Sequence, residues 1–169
     1  MKKLLIGLLL ASASAGALEM KIDLTLPELK IADYHRPYVA GWIEGSDHKL
    51  VEHLFVWYNV KGNAENPKRG LKWLKDLRNW WRKGGRSLDP IPDGVSSATR
   101  KPGSHSIEIK AEQLAKLKEG DYTLQIEATR EEGGTERVSI PFKLPLSGET
   151  SAKAAGKSEL GDISLTIKP

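Results

Sequence analysis

Among its 169 residues the chain has no cysteine. That excludes disulfide staples, thiol catalysis, zinc–thiolate and iron–sulfur sites, c-type haem attachment and a lipid-anchoring cysteine, so stability has to come from packing. Phosphate-cradling loops are missing as well, with no P-loop and no dinucleotide-binding glycine fingerprint, and there is no G-x-S-x-G nucleophile elbow. His35, His48, His53 and His105 lack any metal-ligand spacing, the nearest approach being Asp47-His48 with His53. The carboxylates scatter along strand edges, which leaves no paired acid/base site, and no nucleic-acid-binding motif stands out. Past the N-terminal segment no apolar run is long enough to cross a membrane, so no integral membrane segment is expected in the mature chain.

What is present begins with an export signal. Lys2 and Lys3 precede an apolar run, Leu4 to Leu10, and a small-residue stretch ends in Ala15-Gly16-Ala17. This is the basic, apolar and A-x-A order of a cleaved signal peptide, so residues 1–17 are expected to be removed and the mature protein to work in a bacterial periplasm. Residues 18–169 are enough for one domain with its own core. Their charge is uneven. Without Lys2 and Lys3 the 26 basic residues become 24, against 22 acidic ones. Residues 61–86 hold nine of the basic and two of the acidic residues, a net +7, and the rest carries −5. A basic element on an acidic body points to an anionic partner.

Period-two alternation dominates the rest. Met20, Ile22, Leu24 and Leu26 alternate with polar residues; so do Tyr122, Leu124, Ile126 and Ala128, and Val138, Ile140, Phe142 and Leu144. Glu131-Glu132-Gly133-Gly134 reads as the hairpin turn between the last two runs, and Pro141 puts the later one at a sheet edge or gives it a bulge. Ile107 with Ile109, and Ile163, Leu165 and Ile167, mark two shorter strands. Pro37 to Glu44 and Leu54 to Val60 are continuously apolar, as strands covered on both faces are. Seven strands predict an all-β, antiparallel, immunoglobulin-like sandwich, with residues 147–158 a flexible connection to the last strand.

Residues 68–83 break this rhythm. At 100° per residue, Trp73, Leu74, Leu77, Trp80 and Trp81 share one face, with Lys72, Lys75, Arg78 and Arg82 opposite. The pattern predicts a short inserted amphipathic helix. It suits a cap on the sandwich, a membrane-surface element or a grip on a ligand.

The loop from Asp89 to Gly103 follows, rich in Pro, Gly and Ser. Within it, Asp93-Gly94-Val95-Ser96-Ser97-Ala98-Thr99 resembles the flavinylation sequence D-x-x-[ST]-G-A-T, in which a periplasmic FAD:protein FMN transferase esterifies the Thr hydroxyl with FMN phosphate. Asp93, Ser96, Ala98 and Thr99 match, and Ser97 stands where the pattern has Gly. The residue types suit the chemistry: a hydroxyl that can form a phosphoester, small neighbours allowing close approach, and Arg100 and Lys101 placed to neutralise phosphate. A covalent tether also needs no dinucleotide-binding fold, and five tryptophans and four tyrosines offer stacking surfaces.

Residues 36–44, 72–81, 93–103 and 120–124 together resemble a bacterial family of predicted periplasmic proteins of unknown function. The resemblance covers most of the domain. It implies association with PepSY-type membrane proteins and with the FMN transferase, and hence a flavin-carrying role. The leading expectation is a periplasmic flavoprotein with FMN on Thr99, without catalytic activity of its own, relaying electrons to or from a membrane partner. Trp73, Trp80 and Trp81 are the candidates for stacking on the flavin, and the resemblance offers Arg36 as a phosphate partner. The alternative is a non-catalytic binding module that docks an anionic partner through the basic helix.

Overall fold

Wherever apolar and polar residues alternate in the sequence, a strand forms with its apolar side buried. The computed structural model describes residues 17–62, 65, 66 and 68–169; of the expected signal segment only Ala17 lies among them. β1 (Glu19–Leu26) buries Met20, Ile22, Leu24 and Leu26 and turns the residues between them outward. β6 (Gly120–Thr129) and β7 (Thr135–Leu144) form a hairpin through the expected turn, and β9 (Asp162–Lys168) closes the chain. β2 (Tyr38–Gly45) and β3 (Leu50–Tyr58) are the continuously apolar pair.

Two sheets pack face to face. One has the order β5-β1-β9-β8 and the other β4-β3-β2-β6-β7, where β5 is Gly103–Ile109, β8 is Thr150–Ala155 and β4 is Ser96–Ala98. Ile22, Leu24, Ile163 and Leu165 from the first sheet meet Leu124, Ile126, Ile140 and Trp57 from the second in one apolar core. Each such fully buried side chain contributes about 2 kcal/mol. β7 is an edge strand, so Pro141 is accommodated with no strand paired on its outer side. No described helix is long and apolar enough to cross a membrane.

The sandwich is the expected class, but three details differ. There are nine strands among the described residues rather than seven. Residues 150–155, expected as flexible connection, form β8 on β9, held by backbone pairing although only Ala152 and Ala154 pack against the core. The motif loop also contains a strand: β4 runs parallel to β3, so the second sheet is mixed.

The inserted segment is not one helix. Arg69–Asp76 is a 3₁₀ helix, Leu77 breaks the path at φ −74°, ψ 70°, and α1 follows at Arg78–Lys83. A 3₁₀ turn advances about 120° per residue rather than 100°, so the face read at a constant helical period drifts along the segment. Leu74, Leu77 and Trp80 are buried against Ala40, Trp42, Val56 and Tyr58 on the outer face of the second sheet. This second small core is why β2 and β3 are apolar on both sides.

Candidate functional site

Four elements meet at one end of the strands of the second sheet. Tyr38 opens β2, Tyr58 closes β3, the 3₁₀ helix crosses above them and the β6–β7 turn reaches over from the side. Tyr38 and Tyr58 meet edge to face, with centroids 6.3 Å apart, and the Tyr38 hydroxyl donates to the Gly70 carbonyl at 3.1 Å. Burial pushes the Tyr38 phenol above its ordinary range, which keeps it neutral. Gly70 permits this crossing: a Cβ there would lie 1.9 Å from the Asn59 carbonyl oxygen.

Between these elements lies a cavity of about 720 Å³, a size typical of small-molecule sites. Thr99 lines it, together with Tyr38, Asn59, Trp73 and Thr129. Its charged lining comprises Arg36, Arg69, Arg78 and Arg130 against Asp76, Glu131 and Glu132. Arg130 is committed to a buried ion pair with Glu159 at 2.9 Å, which fixes the turn end of the wall. His35 stands 3.8 Å from Glu131. Among the described residues Arg36, Arg69 and Arg78 form no ion pair, so their donors are free for an anion.

Thr99 sits just past β4. Its backbone N–H donates to the Tyr58 carbonyl at 2.9 Å and its hydroxyl to the Pro37 carbonyl at 2.5 Å. The side chain is half-buried, at the cavity wall rather than in either core.

The other expected site residues divide. Trp73 lines the cavity, as does Arg36. Trp80 does not: it is fully buried, its indole N–H donating to His53 Nδ1 at 3.0 Å, so it has no face to offer a ligand. Trp81 packs half-buried beside the second core, away from the cavity lining. Of the three tryptophans expected to stack, Trp80 and Trp81 are thus kept from the cavity and Trp73 lines it, with the Lys72 ammonium 4.4 Å from its ring centroid. Ser96 donates to the Tyr58 hydroxyl at 3.3 Å, and Ser97 is half-buried opposite Trp57. Asp93, Ala98 and Lys101 are exposed. The Arg100 guanidinium lies over the Trp57 ring, 4.7 Å from its centroid, which draws it away from the phosphate role expected of it. None of these residues lines the cavity.

Sequence reasoning missed Tyr38, Asn59, Arg69 and Arg130, which come from separate elements. It also missed two buried carboxylates. Glu44 accepts from the Trp42 indole at 2.9 Å and pairs with Lys83 at 3.2 Å. Glu127 accepts from the Asn79 and Trp80 backbone N–H groups and so holds the start of α1. Among the described residues no group of three or more metal-binding side chains is brought together. His53 serves as the acceptor for Trp80, and His48 is exposed.

A family model described as "Predicted periplasmic protein (DUF2271)" matches residues 19–162, nearly the whole sandwich and every residue that lines the cavity. The chain belongs to this family. DUF2271 is described as periplasmic, in agreement with the expected export signal, and the protein is accordingly placed in the periplasm. The match takes in both the 3₁₀ crossing and the Asp93 to Thr99 segment. No curated protein and no solved structure matches the chain.

Proposed function

We propose that this DUF2271 protein is a periplasmic flavin carrier with FMN esterified to Thr99 and lodged in the adjacent cavity. The observation that carries this reading is the company Thr99 keeps: its half-buried side chain lines one cavity with an aromatic ring and three arginines free of ion pairs. The donor set fits the group. Arg36, Arg69 and Arg78 are suited to the phosphate, by bidentate hydrogen bonds, and Trp73 with Tyr38 is suited to the ring. A flavin supplies one- and two-electron transfer when bound. The chain's own part is to hold it and to limit water through the β6–β7 turn, with Arg36, Arg69 and Arg78 set against Asp76, Glu131 and Glu132 in the same lining. Arg130, pinned by Glu159, contributes a fixed wall rather than a ligand. The sequence resemblance supplies the modifying enzyme, an FAD:protein FMN transferase, and a PepSY-type membrane protein as the redox partner.

The test is export of the full-length chain alongside an FMN transferase, followed by a denaturing gel. Flavin fluorescence in the wild-type band that vanishes in Thr99→Val supports the proposal; a dark wild-type band opposes it.

One observation favours a second reading, an anion-docking module without a cofactor. Lys61, Lys68, Lys72, Lys75, Arg82 and Arg86 also form no ion pairs among the described residues, so the inserted segment and its flanks present unpaired positive charge. Under that reading the unmodified chain binds polyglutamate, with affinity falling steeply as salt is raised.

A further inference from the structure

We infer that Thr99 receives its cofactor only while residues 93–100 are detached from β3, with the Thr99–Pro37 hydrogen bond latching the unloaded chain. This rests on the flavin reading above and concerns how that site is filled.

Esterification requires the Thr99 oxygen to attack the FMN-side phosphorus of FAD held inside a second protein. The new bond is Oγ1–P. The bond broken joins that phosphorus to the bridging oxygen, so AMP leaves with the electron pair, and the hydroxyl proton passes to a base of the transferase. Nothing is oxidised or reduced. In the docked chain the half-buried Thr99 lines a cavity together with residues of the β6–β7 turn and the 3₁₀ helix, and its hydroxyl donates to the Pro37 carbonyl. A transferase that holds FAD in its own active site has to surround the acceptor segment, and one paired along β3 offers it only one side.

The segment is, however, built to come away. β4 is an edge strand, pairing only Val56, Trp57 and Tyr58 with Ser96, Ser97 and Ala98. Besides that pairing and the Thr99–Pro37 latch it is held by Val56 N–H to the Val95 carbonyl at 2.8 Å, Thr99 N–H to the Tyr58 carbonyl, the Ser96–Tyr58 hydroxyl contact at 3.3 Å, half-buried Val95 against the second core, and the Arg100–Trp57 contact. Asp93, Gly94, Ala98 and Arg100 are already exposed. Short edge elements with few buried contacts open at much lower free energy than central strands. Loading also changes the latch, because an ester oxygen has no proton to give. On return, Pro37 loses its donor and the cavity receives the tethered group instead.

The cysteine-free chain allows a clean test. Val56→Cys with Ser96→Cys joins the paired strands by a disulfide that a reductant reopens. With purified transferase and FAD, the oxidised form is expected to gain FMN at least tenfold more slowly than its reduced form, read by intact mass. Equal rates overturn the inference and leave the flavin reading standing; wild type that never gains mass overturns both. Should the double variant fail to fold, wild type decides. In urea below its unfolding transition, its modification rate, normalised to an unrelated acceptor domain in the same solution, is expected to rise several-fold. A flat normalised rate overturns the inference.

Discussion

The carboxylate of Glu127, on β6, accepts the backbone N–H of Trp80 at 2.8 Å, although 47 residues separate them. The same side chain takes the Asn79 backbone N–H at 3.1 Å and its amide at 2.8 Å. A fully buried carboxylate thus satisfies N–H groups at the start of α1 that have no partner within the helix. Through this anchor the sheet sets where the inserted segment lies, and therefore where Trp73 and Arg69 stand. Glu127→Gln turns one acceptor into a donor facing donors. A loss of about 1–3 kcal/mol is expected by urea denaturation, and an unchanged midpoint would show that α1 is held otherwise.

Gly70 tests the same geometry from the other side. With a Cβ position 1.9 Å from the Asn59 carbonyl, Gly70→Ala forces the 3₁₀ helix away from the end of β3. The Tyr38–Gly70 hydrogen bond goes with it. The expected cost is about 1–3 kcal/mol in a denaturant titration, the range for overpacking a close contact. A fully stable variant would mean that the crossing is loose.

Acid should weaken the fold in two separate steps. Burial lowers the His53 pKa from its ordinary 6.5, and the Trp80 indole needs the unprotonated Nδ1. The unfolded chain therefore takes up this proton first, so the contribution is complete above pH 6.5 and is lost as pH falls through the folded value. Glu136 behaves likewise at lower pH. Burial alone would raise its pKa, but backbone N–H groups of Leu160, Lys157 and Ser158 outweigh it and bring the carboxyl below its ordinary 4.5. Its contribution fades only below pH 4.5. Between about pH 7.5 and about pH 5.5, wild type should lose stability and His53→Gln should not, whereas Glu136→Gln should alter only the more acidic limb.

Trp73 gives an optical readout. An indole stacked on a flavin quenches its emission, so the loaded native protein should be dimmer than the same protein denatured. Trp73→Leu should restore much of the native emission, while Trp81→Leu, away from the cavity lining, should not. Equal brightening by both substitutions would place the ring elsewhere.

Much of the architecture was legible because a half-buried strand writes its burial into alternate residues. β1, β6, β7 and β9 could be read that way, and the apolar runs of β2 and β3 announced two covered faces. β8 was hidden: Ser151, Lys153 and Ala155 are exposed, and backbone pairing to β9 rather than side-chain burial makes it a strand. β4 was hidden for a similar reason, being three residues paired in parallel with a strand 40 positions earlier. In the inserted segment, a constant 100° step put Trp80 beside Trp73. The 3₁₀ turn and the break at Leu77 instead send one into the core and leave the other at the cavity. Thr99 stood out through its motif. Its neighbours Tyr38, Asn59, Arg69 and Arg130 did not, since topology alone brings them together.

The most direct test is made on the peptide Ser87–Arg100, released by trypsin from chain exported alongside an FMN transferase. The expected result is a mass increase of one FMN less one water, with fragmentation placing it on Thr99. A bare peptide, from cells in which an unrelated acceptor domain is fully modified, would contradict the flavin-carrier reading.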